Sequence, residues 1–417
     1  MNPSYGHCAY LSTSFGGLGL ATKRSQGVQV IDVTDPTRPR YSTNLTSPAM
    51  LSGPWESLKV NPARGLLAAV SGGVYAGGLF FDVYDIKDDC ANPRLLNSLH
   101  LGNRGARGLA LTVPTTVLGH ESGWSPDGKT YWSTSSVGGS LTAIDVADPV
   151  HPRVVYTGLN GLPVNHSLSV SNDGNRLYLE TGFPAGFEVL DVSDVQRRSP
   201  TPLIRLVSRV SWNVGAVGQS NTLATYHGIP HLITVDEYAA EGVRIFNLGD
   251  ERRPRLVKHL QLEIQQNQHI DARRADTTGN GVFGYDTHYC TVDRYADPTA
   301  MACSYFQSGI RVFDIRNPEQ PRELAYFNPP AQVGKNLQLG GSEHASSLVA
   351  QTPPPITDAI HLNVGNLIGQ RPLVNLSADY CSSPPRFMGP DQLWVTCQDN
   401  GFLALKFTND AYRSANS

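Results

Sequence analysis

The stretch VQVIDVTDPTRPRY at residues 28–41 is the first copy of a phrase that decides the fold. Each copy is a short apolar strand ending in hydrophobic-Asp-hydrophobic or a close variant, followed by a polar turn, usually a Pro-Arg pair, and another strand. The later copies are VYDIKDDCANPRLL (83–96), TAIDVADPVHPRVV (142–155), EVLDVSDVQRRSPTPLI (188–204), RIFNLGDERRPRLV (244–257), RVFDIRNPEQPREL (311–324) and a degraded seventh, GFLALKF (401–407). Such self-similarity indicates repeated supersecondary units.

The intervals between the copies hold two further strands and no helix pattern. Turns such as SPDG (125–128) and SNDG (171–174) join these strands. Four antiparallel strands per repeat, seven times, predict an all-β fold, a single seven-bladed β-propeller over residues 1–417. Only six residues precede the second strand of the first blade, HCAYLST (7–13), so this blade is predicted to be missing its inner strand.

Composition excludes several other classes of protein. The 40 Gly and 29 Pro among 417 residues are incompatible with coiled coils, helical bundles and helical solenoids. The 40% hydrophobic content excludes wholesale disorder. The net charge of −3 and the pI near 6.5 give no electrostatic case for nucleic acid, and no apolar stretch is long enough for a membrane span. A small-molecule substrate remains the expected partner, and the oligomeric state is left open.

The longest interval lies before the last copy of the phrase. It contains about 50 extra residues, 330–378, with little strand pattern. Loops of this length in compact domains are usually functional or disordered. We interpret this segment as an insertion or lid over one face of the propeller.

The repeated phrase resembles the LVIVD-repeat family of secreted bacterial β-propeller proteins. The segments HYCTVDRYADPTAMACSYFQSGIRVFDIRNPEQPRELAYFNP (288–329) and QLWVTCQDNGFLAL carry the resemblance most specifically. The resemblance implies a propeller fold in an exported bacterial protein. It does not imply an activity, because the family is mostly uncharacterised.

Four of the six cysteines are symmetric about predicted hairpin turns. Cys290 and Cys303 flank the turn RYADPT, and Cys381 and Cys397 flank the turn MGPD. Cysteines opposed on antiparallel strands lie within reach of a disulfide, so both pairs are predicted to be bonded. Cys8 is left with two alternatives, a partner on the missing first strand or Cys90 of the next blade.

Disulfides imply an oxidising compartment, which predicts a secreted or periplasmic protein. The visible N-terminus, MNPSYGHCAY, has no charged region followed by an apolar stretch and is no signal peptide. We therefore expect the leader to be absent from this sequence.

Histidines recur at one position of the predicted innermost strands. Equivalent positions on these strands form a ring around a propeller tunnel, and counting five residues back from the turn at each strand end gives Glu56, His120, His166 and His288. Less certain alignments add Asn221 for the fifth blade and Ser383 for the seventh. Imidazoles with one carboxylate suit Cu, Fe or Zn in a site with an open coordination position.

The sequence therefore predicts a divalent transition metal at the tunnel mouth. Its ligands would be His120, His166, His288 and Glu56, with Glu56 as fourth ligand or catalytic base. His344 of the insertion is a second catalytic candidate, as a further ligand or an acid/base. The predicted function is that of a metal-dependent oxidoreductase, hydrolase or cyclase acting on a small organic substrate.

The alternative is a non-catalytic binding propeller whose histidines only bond neighbouring blades. A step of five is odd, which places the histidines on the same strand face as Val60, Trp124, Val170 and Val292. Two alternatives follow: strand twist aims the histidines at the tunnel, or they pack between blades. Ser122, Ser167 and Ser383 lie nearby without a Gly-x-Ser-x-Gly elbow, and are interpreted as strand hydrogen-bonding residues. Asp236 and Glu237 end the strand HLITVDE and are predicted to face solvent or cap a turn.

Overall fold

The computed structural model describes residues 3–12, 27–54, 56–71, 80–101, 119–135, 139–159, 164–182, 184–212, 217–237, 240–277, 284–330, 379, 381–397, 400–408 and 410–412. These residues form two compact units, Met1–Val210 and Ser211–Ser417. Almost all of the predicted insertion at 330–378, His344 included, lies outside the described residues.

Unit 1 contains four groups of four consecutive antiparallel strands among the residues described, which we number as its first to fourth sheets. The first three are separate four-stranded sheets, and the fourth is part of a larger sheet. The first sheet contains β1 (Ser4–Tyr5), β2 (Cys8–Ser12), β3 (Val28–Asp32) and β4 (Arg40–Leu45). The second contains β5 (Lys59–Asn61), β6 (Leu66–Val70), β7 (Phe80–Asp85) and β8 (Arg94–His100). The third contains β9 (Gly119–Trp124), β10 (Thr130–Ser135), β11 (Ser140–Asp145) and β12 (Arg153–Leu159). The fourth contains β13 (Val164–Val170), β14 (Arg176–Gly182), β15 (Ala185–Asp191) and β16 (Arg205–Trp212).

Unit 2 continues the same pattern. Its first sheet, the fifth of the chain, contains β17 (Val217–Tyr226), β18 (Ile229–Glu237), β19 (Val243–Asn247) and β20 (Arg255–Leu260). The sixth contains β21 (Thr287–Val292), β22 (Ala300–Tyr305), β23 (Gly309–Asp314) and β24 (Arg322–Phe327). The seventh contains β25 (Arg386–Met388), β26 (Gln392–Cys397) and β27 (Gly401–Lys406). The prediction of an all-β fold of four-stranded antiparallel sheets is confirmed.

The first sheet corrects one expectation, because its inner strand is present. Ser4 and Tyr5 pair with Ala9 and Cys8 as a two-residue strand. The turn between them uses Gly6, whose φ of 56° is readily adopted by glycine. Six residues are therefore enough for a short inner strand, which the alternation pattern of so few positions does not reveal.

Helices are short, and their presence corrects the expectation that none lies between the repeats. They are α1 (Pro48–Leu51), α2 (Ser193–Gln196) and α3 (Ile270–Thr277), with 3-10 turns at Glu263–Gln265 and Asn267–His269. The eight-residue α3 follows the fifth sheet and carries no long apolar face. None of the described helices is long and apolar enough to cross a membrane.

The Asp of the repeated phrase ends the third strand of its sheet through an Asx turn. Its side-chain oxygen accepts the backbone N–H two residues later, at 2.8–3.1 Å, a local bond that Asp and Asn favour. The acceptor and donor residues are Asp32 and Thr34, Asp85 and Lys87, Asp145 and Ala147, Asp191 and Ser193, Asn247 and Gly249, and Asp314 and Arg316. Each copy of the phrase that has Asp or Asn at this position therefore marks the end of a strand.

The core of each unit lies between the faces of consecutive sheets. In unit 1, separate apolar clusters join the first sheet to the second, the second to the third, and the third to the fourth. In unit 2, clusters join the fifth sheet to the sixth and the sixth to the seventh. Face-to-face packing of successive four-stranded sheets is the arrangement of propeller blades.

Three disulfides link the six cysteines. Cys290–Cys303 lies across β21 and β22 in direct register. Cys381–Cys397 joins a residue ahead of β25 to the last residue of β26, and the two cysteines form an isolated antiparallel bridge. Both hairpin pairs were predicted from the sequence. Of the two alternatives for Cys8, the structure selects Cys90, so this bond joins the first and second sheets.

Candidate functional site

Three of the predicted ligands come together at the starts of consecutive sheets in unit 1. Glu56 lies three residues before β5, His120 is the second residue of β9, and His166 is the third residue of β13. The backbone of Glu56 forms a parallel bridge with Glu121, and β9 packs between β5 and β13. The first-strand regions of three neighbouring sheets therefore each contribute one ligand-type side chain, Glu56 from just ahead of β5 and the histidines from β9 and β13.

Both histidines lie at β-bulges. His120 and Glu121 together face the single residue Thr134, and His166 and Ser167 together face Glu180. A bulge adds one residue to one strand and re-aims the side chain there, and bulges are frequent next to active sites. The odd spacing of the histidines from the strand ends is offset by this extra residue, which changes the alternation of faces.

The three side chains converge on a small buried volume. His120 Nε2 lies 2.9 Å from His166 Nε2 and 3.0 Å from Glu56 Oε2, and His166 Nε2 lies 3.7 Å from the same oxygen. Glu56 and His166 are buried and the His120 side chain is 15% exposed. These atoms form a group of three that could hold a metal ion.

The distances fit one transition-metal ion. The circle through the three atoms has a radius of about 1.9 Å, slightly less than the bonds of about 2.0–2.2 Å that zinc makes to His nitrogen and carboxylate oxygen. One ion can therefore bond to all three atoms at once. Two imidazoles and a carboxylate also leave a fourth position for water or substrate.

A buried ion pair braces two of the ligand segments. Lys59 of β5 donates a hydrogen bond from Nζ to Oε1 of Glu121, whose side chain is fully buried. Trp124 Nε1 donates to the Lys59 carbonyl at 3.3 Å. Since Glu121 follows His120 and Lys59 lies near Glu56, these contacts fix the spacing between the two ligands.

Two of the candidate serines from the sequence, Ser122 and Ser383, take part in strand hydrogen bonding. Ser122 Oγ donates to the Ser57 carbonyl at 2.7 Å and accepts from Tyr131 at 2.7 Å. Ser383 Oγ donates to the Thr396 carbonyl and accepts the Thr396 N–H. These contacts agree with the structural interpretation of Ser122 and Ser383.

The fourth predicted ligand, His288, lies in unit 2 with partners of its own. Its Nε2 is 2.9 Å from Glu237 Oε1 and 2.8 Å from the Gln219 amide nitrogen, and its Nδ1 is 2.5 Å from the Ser382 carbonyl. Gln219 and Glu237 were not identified as His288 partners from the sequence. The alignment selected Asn221 on β17. The structure has a bulge at Gln219, and Gln219 is the residue of β17 whose side chain contacts the His288 imidazole.

The prediction that Asp236 and Glu237 face solvent is wrong. Asp236 is fully buried and Glu237 is 6% exposed. Burial raises the pKa of the Asp236 carboxyl, while the Arg244 guanidinium that binds it acts in the opposite direction. Both residues end β18, the second strand of the fifth sheet, in which the side chains from His231 to Glu237 are buried. The polar character of the two residues does not reveal this burial.

Comparison with known proteins supports the fold. No family model and no curated protein matches the chain. A candidate 6-phosphogluconolactonase from Bacteroides fragilis is similar in structure, with 9% identity, a TM-score of 0.59, and coverage of 98% of this chain and 92% of that one. A second candidate 6-phosphogluconolactonase, from Bacteroides uniformis, has 12% identity, a TM-score of 0.57 and coverage of 79% and 84%. The periplasmic gluconolactonase of Pseudomonas aeruginosa has 15% identity, a TM-score of 0.53 and coverage of 75% and 81%. At these identities the likeness supports a β-propeller fold and nothing finer.

Proposed function

We propose that this protein is a metal-dependent hydrolase that acts on a small organic substrate. Glu56, His120 and His166 would hold one divalent transition metal, Zn, Fe or Cu. The observation that carries the proposal is the convergence of three ligand atoms within 3.7 Å of one another, from the first-strand regions of three consecutive sheets, with both histidines at bulges.

We also propose where the metal site lies in the fold. The seven sheets would close as a seven-bladed propeller of the LVIVD type, in an exported bacterial protein. The first strands of its blades would line the tunnel, so the metal would lie at the tunnel mouth. The three disulfides support an oxidising compartment.

The residues present determine which chemistry the site supports. A divalent ion supplies Lewis acidity toward a carbonyl oxygen and lowers the pKa of a bound water. The two imidazoles and the Glu56 carboxylate would hold the ion, and the carboxylate would cancel part of its charge. The His120 side chain, 15% exposed, is the most exposed of the three.

Lactones are the first substrates to test. Gluconolactonase and 6-phosphogluconolactonase are the names of proteins with a similar fold, and hydrolysis of a cyclic ester needs the polarised carbonyl and activated water that such a metal site supplies. His344 remains a proposed acid/base, and Glu56 is assigned here as a ligand.

The experiment compares hydrolysis of sugar lactones before and after metal removal. The purified chain is treated with a chelator, reloaded separately with Zn²⁺, Fe²⁺ or Cu²⁺, and assayed by acid release. We expect chelation to abolish activity, one of these ions to restore it, and Glu56→Gln or His166→Gln to reduce it by at least 100-fold.

His151→Gln is the matched control. His151 also pairs with a carboxylate, Asp148, at 2.8 Å, but its side chain is 80% exposed. This variant should keep full activity. A chain that binds no metal, and whose His120 and His166 variants fold normally, would instead favour a binding propeller with structural histidines.

A further inference from the structure

Unit 2 contains a second cluster of polar side chains that the proposed function does not use. Three strands of two adjacent sheets bring Gln219, Glu237 and His288 to one point. The imidazole Nε2 of His288 lies 2.9 Å from the Glu237 carboxylate and 2.8 Å from the Gln219 amide. All three residues are less than one-tenth exposed.

The orientation of the imidazole is fixed from its other side. His288 Nδ1 lies 2.5 Å from the Ser382 carbonyl, which can only accept, so Nδ1 carries a proton. The rings of Tyr289 and Phe306 each lie 4.7 Å from the imidazole, and Ser220 Oγ donates to the His288 carbonyl at 2.8 Å. The ring therefore cannot turn away, and Nε2 is held toward Glu237.

The backbone is shaped for this convergence. His288 is the extra residue of a bulge in β21, between the pairs that Thr287 and Tyr289 form with β22. Gln219 is likewise the extra residue of a bulge in β17. Two independent bulges that direct their extra residues at each other indicate a built site, because bulges re-aim side chains at a cost to regular pairing.

The imidazole Nε2 of His288 faces two polar side chains at once. The Glu237 carboxylate oxygen lies 2.9 Å from it and the Gln219 amide nitrogen lies 2.8 Å from it. A single proton on Nε2 points at one acceptor, whereas two side chains approach this nitrogen. A metal ion accommodates both, because the Gln219 amide reverses in place to present its oxygen.

The arrangement has the features of a metal-ligating histidine. Such a histidine donates its other ring N–H to a backbone carbonyl or carboxylate, as His288 does to Ser382. The separation of 2.9 Å between Nε2 and Oε1 is that of neighbouring ligands with bonds of about 2.1 Å. One imidazole and two oxygens form a harder donor set than that of Glu56, His120 and His166.

We propose that His288, Glu237 and Gln219 form a second divalent-cation site, which accepts Mn²⁺ or Zn²⁺. The site stands independently of the proposed function, since its donors all belong to unit 2. His288 is thereby reassigned from the predicted four-ligand centre to a centre of its own.

The test is a Zn²⁺ titration of the chelator-treated chain, followed by calorimetry and elemental analysis. We expect two ions per chain in the wild type and one in His288→Gln or Glu237→Gln. His166→Gln should remove the other ion, and His151→Gln should remove neither. Circular dichroism and the unfolding midpoint identify variants that fold normally.

Gln219→Glu keeps the shape of the side chain and supplies a carboxylate, so it should raise the affinity for Zn²⁺ at least tenfold. The proposal would be overturned if a folded His288→Gln chain still bound two ions, or if Gln219→Glu did not raise the affinity for Zn²⁺. One ion that is lost in His288→Gln but kept in His166→Gln would uphold this site and refute the metal site of the proposed function.

Discussion

Removal of the Cys8–Cys90 disulfide should destabilise the protein more than removal of either hairpin disulfide. This bond joins residues 82 positions apart, whereas Cys290–Cys303 spans 13 and Cys381–Cys397 spans 16. In the chain-entropy model these loops correspond to about 4.5 kcal/mol for the long one and about 3 kcal/mol for each short one. The cysteines are all buried, so the packing lost in each Cys→Ala pair is similar.

The assay is guanidinium unfolding of the three double Cys→Ala variants beside the wild type, followed by tryptophan fluorescence and circular dichroism. The two hairpin variants act as controls for each other and should agree within about 0.5 kcal/mol. The free energy of unfolding of the Cys8 and Cys90 double variant should fall by about 1.5 kcal/mol more than that of either hairpin variant. Equal losses in all three, or the smallest loss at Cys8–Cys90, would refute the loop-entropy reasoning.

Three further predictions concern the fold and its charges. Gly309→Ala should lower the free energy of unfolding by about 1–3 kcal/mol more than Gly401→Ala does, as measured by thermal unfolding. Both glycines have positive φ, but a Cβ at position 309 would lie 2.4 Å from a backbone oxygen, whereas a Cβ at position 401 would meet open space. Lys59→Met should destabilise the chain by about 3 kcal/mol by leaving Glu121 buried without its cation, and adding Glu121→Gln should recover most of that loss in denaturant titrations. Burial lowers the pKa of the His231 imidazole in the folded chain. As pH falls from about 6.5 toward this lowered pKa, the unfolded chain binds more protons than the folded chain, so the free energy of unfolding decreases in that window. The unfolding midpoint of His231→Gln should therefore fall less between pH 7 and pH 5 than that of the wild type, and an equal fall would contradict this role.

Much of the fold was predictable because the repeated phrase has a local cause. Asp145 ends its strand by accepting the N–H of Ala147, and the same bond recurs in every copy that has Asp or Asn. Hairpin symmetry located Cys290–Cys303 for a similar reason, since both residues belong to one local pair of strands. The inner strand Ser4–Tyr5 was missed because two residues carry no alternation.

The candidate site was predictable only in part. Counting back from the strand ends found Glu56, His120 and His166 because three consecutive sheets keep the same register. It could not find Gln219 and Glu237 as partners of His288, because a bulge shifts the count on β17 and a whole interval separates the strands in sequence. Asp236 and Glu237 were wrongly predicted to face solvent, because their burial depends on the strands and sheets that pack around β18 and not on their own residue types.

The most direct test of the central claim is an anomalous difference map from crystals grown with Zn²⁺, collected on both sides of the zinc absorption edge. We expect a peak within about 2.2 Å of Glu56 Oε2, His120 Nε2 and His166 Nε2. No peak there, with the two imidazoles still 2.9 Å apart and hydrogen-bonded to each other, would contradict it.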